Sequence, residues 1–78
     1  MQKRMSWLSY SKIILEKVSF DQRIFRKELR KSLGRLSGDE IRKLESWCIA
    51  NFNALLSYIA VTEISEYLQG NHNSLGLA

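Results

Sequence analysis

Residues 20–41 read FDQRIFRKELRKSLGRLSGDEI, and both ends of this stretch carry a helix-start signal. Asp21 is placed as an Ncap, its carboxylate accepting from N–H groups of the first turn, with Phe20 and Phe25 as a hydrophobic staple across it. Further on, Ser37 and Glu40 form an S-x-x-E capping box and Leu36 and Ile41 the matching staple. Asp39 and Glu40 put negative charge where the helix dipole favours it. Between the two caps, Phe25, Leu29, Leu33 and Leu36 recur every third or fourth residue, which predicts one apolar face of a helix over 22–33 or 22–36. Gly34 marks its end.

Upstream, Met5, Ser6 and Tyr10 repeat the start pattern in weaker form and open a first helix over 7–17, with Trp7, Tyr10, Ile14 and Val18 as its expected inner face. Downstream of Ser37 no strong stop appears until Gly70. One unbroken helix there would be about 48 Å long at 1.5 Å per residue, longer than so small a domain is wide. Either the chain bends near Asn51, Phe52 and Asn53, or a long helix projects and pairs with another chain; the bend is the favoured reading. Proline is absent from the 78 residues and strand-like alternation is missing. The expected fold is therefore all-α, a compact cluster of three to four helices in a single domain over 1–69. A flexible tail over 70–78 is expected to follow it.

So short a chain builds only a thin core, which makes association with a further copy or another protein an expectation from the outset. Cys48 stands alone, so no intrachain disulfide is available, and the opening MQKRM is not followed by the apolar run of a secretory signal. A reducing, cytoplasmic setting is expected. Residues 46–62 carry no charge, but a membrane span wants about 20 predominantly apolar residues, and this stretch holds two asparagines and two serines. It predicts a buried or interface helix rather than a span.

Few residues are suited to catalysis. The single histidine, His72, falls in the expected tail, where nothing rigid would hold it against a nucleophile. Cys48 sits between Trp47 and Ile49 and reads as a small, inert core residue. Glu63 and Glu66 lie one turn apart on what is expected to be a wet helix face. One His and one Cys match no zinc spacing, and no Gly-rich phosphate loop occurs. No catalytic residue, metal, cofactor or small-molecule substrate is expected.

Two surfaces remain. Residues 1–36 hold ten Lys and Arg against three acids, whereas 37–78 hold two against five. On the middle helix Arg23, Arg26, Lys27, Arg30, Lys31 and Arg35 fall opposite the apolar face, setting like charges at i and i+4 that each oppose helix formation by roughly 0.2–0.5 kcal/mol. Three readings stand side by side: a solvated face, an anionic partner such as a phosphate backbone, or the acidic half of a neighbouring subunit reached through Glu45, Glu63 or Glu66. Helix-turn-helix recognition is not supported, so nucleic-acid binding here would be backbone-directed and salt-sensitive. The second surface is apolar. Trp47, Phe52, Leu55, Leu56, Tyr58 and Ile59 spread over more than one face, either as a helix wrapped by its own domain or as an oligomer interface. The leading expectation is a non-enzymatic helical protein-interaction module that self-associates through this region. The alternative is a nucleic-acid-binding accessory protein using the basic face.

The segment YSKIILEKVSFD over 10–21, with Ile24-Phe25, Lys27-Glu28-Leu29 and Trp47-Cys48, resembles a group of short bacterial proteins that share this opening. The resemblance covers about half of the chain. It implies a compact helical protein to which no activity is assigned, it transfers no functional residue, and it does not reach the apolar stretch after Ala50.

Overall fold

The computed structural model describes residues 5–76, with side chains described through Gln69. It is an all-α globule of four helices: α1 (Trp7–Lys17), α2 (Gln22–Leu33), α3 (Gly38–Asn51) and α4 (Ala54–Gly76). No strand occurs among the described residues. α4 packs on α2 and α3, and α1 packs on α2 and α3. The core holds Leu15 from α1, Phe25, Leu29 and Leu33 from α2, Ile41, Leu44 and Cys48 from α3, and Leu56, Ile59, Ala60 and Ile64 from α4.

The caps explain where each helix begins. Ser6 accepts from Ser9 N–H at 3.0 Å. Asp21 accepts from Arg23 N–H at 2.9 Å and Ile24 N–H at 3.3 Å. At Ser37 the full capping box forms, the hydroxyl accepting from Glu40 N–H at 3.2 Å while the Glu40 carboxylate accepts from Ser37 N–H at 2.9 Å. A further cap lies at the corner between α3 and α4, where Asn53 Oδ1 accepts from Leu56 N–H at 2.9 Å. The bend is thus an Ncap event, and asparagine ranks with aspartate and serine in that role. Side chains also bond to backbone carbonyls around the end of α3. Asn51 Nδ2 donates to Trp47 O at 2.9 Å, and Ser57 Oγ reaches Cys48 O at 3.3 Å and Phe52 O at 3.2 Å.

Three expectations need correction. The inner face of α1 is Leu8, Ser11, Leu15 and Val18, while Trp7 and Tyr10 are exposed and Ile14 is half-buried. The small Ser11 suits a tight contact because its hydroxyl is satisfied within the helix, donating to Trp7 O at 2.7 Å; choosing the face by its aromatics rotated it out of register. Secondly, Phe20 does not staple to Phe25 but is 79% exposed. Phe25 instead meets Phe52 edge to face at 5.2 Å, and Phe52 meets Trp47 in the same way at 5.2 Å, an arrangement worth about 0.5–1.5 kcal/mol per pair beyond burial. Thirdly, Glu63 does not face water; it is 7% exposed. Gly34 does close α2, in ordinary right-handed backbone at φ −69°. α4 continues through Gly70 to Gly76, and the tail expected over 70–78, His72 included, lies in its side chains outside the described residues.

Candidate interaction surfaces

The six cations expected on α2 are all exposed, yet the fold gives them different work. Arg26 and Arg30, one turn apart, converge on Glu63 of α4: Arg26 Nε lies 3.2 Å from one carboxylate oxygen and Arg30 Nε donates to the other at 2.6 Å. The Glu63 side chain is 8% exposed, against 48% and 63% for the two arginines, so the carboxylate is the buried member and the guanidiniums bridge it to solvent. The Glu63 hydrogen bond, then its charge, holds the Arg30 guanidinium more firmly protonated than usual. An acidic partner for the stripe therefore exists within the same chain. Its signal was present in the sequence, since Glu63 continues the Leu56, Ile59, Ala60 stripe at helical spacing and so occupies a core position.

Lys31 lies 3.5 Å from Glu28 on its own helix. Arg35 stacks on the Trp7 ring at 4.5 Å from its centroid, worth about 0.5–1 kcal/mol where water reaches the pair. Arg23 and Lys27 have no acidic partner among the described residues. Trp7 also meets Tyr10 edge to face at 5.8 Å, and with Met5 and Arg35 these rings line a shallow cleft of about 380 Å³. A second cleft, about 310 Å³, lies over Arg30, Glu63, Glu66 and Tyr67.

The residues expected at an oligomer interface divide in two. Leu56 and Ile59 are buried in the chain's own core. Trp47 and Phe52 are half-buried and pack against it, and Lys12 Nζ sits 5.7 Å from the centre of the Trp47 ring. Leu55 and Tyr58 point outward at 48% and 69% exposure, together with Val61, and Ile49 of α3 is also exposed. From Ala54 to Ser65 the exposed positions of α4 are Ala54, Leu55, Tyr58, Val61 and Ser65. None carries a charge. One groove takes Arg42 and Glu45 from α3 and Val61, Ser65, Leu68 and Gln69 from the middle of α4. That pairing makes α3 and α4 antiparallel across their two-residue corner, and Ile49, four residues after Glu45, follows it on the same side of α3.

Cys48 is fully buried. Burial, and secondarily the charge of Glu45, pushes its thiol up to about 12, the opposite of an activated nucleophile. Among the described residues no three His, Cys, Asp or Glu side chains gather as a metal set would, and no helix is long and apolar enough to cross a membrane. No protein-family model, no curated protein and no solved structure matches the chain.

Proposed function

We propose that this chain is a non-enzymatic helical interaction module that self-associates through the outer face of α4, with Leu55, Tyr58 and Val61 at the centre and Ile49 beside them. The observation that carries the reading is the uncharged run of exposed positions from Ala54 to Ser65. A two-fold interface sets each surface against its own copy, so a charged face meets its own charge and an uncharged apolar one meets a match. Tyrosine at the centre of such a patch supplies large contact area at low entropic cost. The basic face of α2 is the less suitable surface for a second copy, and two of its six cations already answer Glu63.

Light scattering on the eluting protein at micromolar concentration tests this. The expected mass is twice the 9.1 kDa of one chain, returning to a single chain in a Tyr58→Glu, Val61→Glu variant whose helical circular dichroism is unchanged. A wild-type protein that elutes as one chain at every concentration defeats the reading.

A further inference from the structure

We propose that the outer face of the α1–α2 hairpin docks on an anionic lipid surface, with Phe20, Ile13 and Ile24 entering the interface and the neighbouring cations meeting the headgroups. This goes beyond self-association and uses a different surface. Arg35, just past the end of α2, stacks on Trp7 at the start of α1, so the two helices run antiparallel. Along this hairpin Tyr10 and Ile13 lie at i and i+3 on α1, Phe20 stands in the connecting turn and Ile24 follows on the first turn of α2. All are exposed, and Phe20 at 79% is the most exposed large apolar side chain described. Water gives no reason to hold these groups out, and the core does not use them.

Their surroundings narrow the partner. Lys17, Arg23 and Lys27 are exposed along the hairpin, without an acidic partner among the described residues, whereas the acids on the same two helices and their turn are Glu16, Asp21 and Glu28. Asp21 is occupied as a cap, and Glu28 is occupied by Lys31. An apolar strip framed by cations, with Trp and Tyr at one end, is the pattern of a surface that lies in the headgroup region rather than one that crosses the bilayer. A neutral protein partner leaves the cations unexplained. A nucleic acid leaves the aliphatic Ile13 and Ile24 unexplained, since base stacking needs rings.

The test is sedimentation of the full chain with vesicles of phosphatidylcholine alone and with vesicles containing about one third phosphatidylglycerol. The protein is expected to travel with the anionic vesicles at low salt, to stay in solution with the neutral ones, and to be released at high salt. Phe20→Ser should weaken partition about tenfold, and Lys27→Glu by roughly fivefold or more. Both positions are exposed, so circular dichroism should not change. In a Trp47→Phe background the emission of Trp7 should shift to the blue on anionic vesicles. The Tyr58→Glu, Val61→Glu variant should bind as wild type does after allowance for valency, which separates this inference from self-association. No partition at low salt, equal partition to neutral vesicles, or no effect of Phe20→Ser overturns the proposal. Capture by a single-stranded oligonucleotide in place of vesicles also overturns it and assigns the face to nucleic acid.

Discussion

The α1–α2 and α3–α4 hairpins each bury an apolar stripe against the other, and they differ in what surrounds the apolar groups left outside. In the first, exposed rings and aliphatic chains are interleaved with Lys and Arg; in the second, Leu55, Tyr58 and Val61 stand on a helix face without charge. Apolar area alone does not choose a partner, because burial is non-directional. The charge framing it does choose, since a cationic frame repels a second copy of itself and attracts an anion, whereas a neutral frame does neither.

The largest test of this contrast acts where the hairpins join. Arg26→Ala with Arg30→Ala strands a buried carboxylate and should give the largest loss of stability, read as a lower urea midpoint at unchanged slope. Glu63→Leu leaves two arginines that water already reaches and should be close to neutral. Equal losses from the two changes would mean that the pair is held by solvent rather than by the hairpin interface.

An intermediate effect lies inside the second hairpin. An unfolded Cys48 thiol gives up its proton near 9.0 while the folded one keeps it to about 12. The stability this contributes is whole below pH 9 and is lost as pH rises towards the folded value, by about 1.4 kcal/mol for each unit in that window. Urea melts of wild type and Cys48→Ala on both sides of pH 9 should show the steeper alkaline decline in wild type only. The smallest change concerns the corner that makes the second hairpin. Asn53→Ala should cost about 1 kcal/mol through the lost cap on Leu56 N–H, with hydrogen exchange rising first in the opening turn of α4. If exchange there is unaltered, packing of Phe52 and not the cap holds the corner.

Much of this was legible in the sequence. The caps at Ser6, Asp21 and Ser37 and the Phe25, Leu29, Leu33 stripe are local signals, carried by side chains that bond or pack within one turn of themselves. The inner face of α1 is the exception, because side-chain size points to Trp7 and Tyr10, whereas the fold buries the small Ser11 and leaves both rings exposed. The bend expected near Asn51, Phe52 and Asn53 is built by Asn53, whose side-chain oxygen starts α4.

What the amino-acid sequence determined alone is an all-α chain of three to four helices and the uneven charge between its halves, since capping and periodicity act over a few residues and charge is a matter of composition. Only the tertiary structure decided that Arg26 and Arg30 belong to Glu63 and that Phe25 takes Phe52 rather than Phe20 as its ring partner. Which apolar side chains stay outside was decided there too. Those outcomes depend on which helix faces meet, and residues more than 25 positions apart in the chain share no local signal that announces their contact.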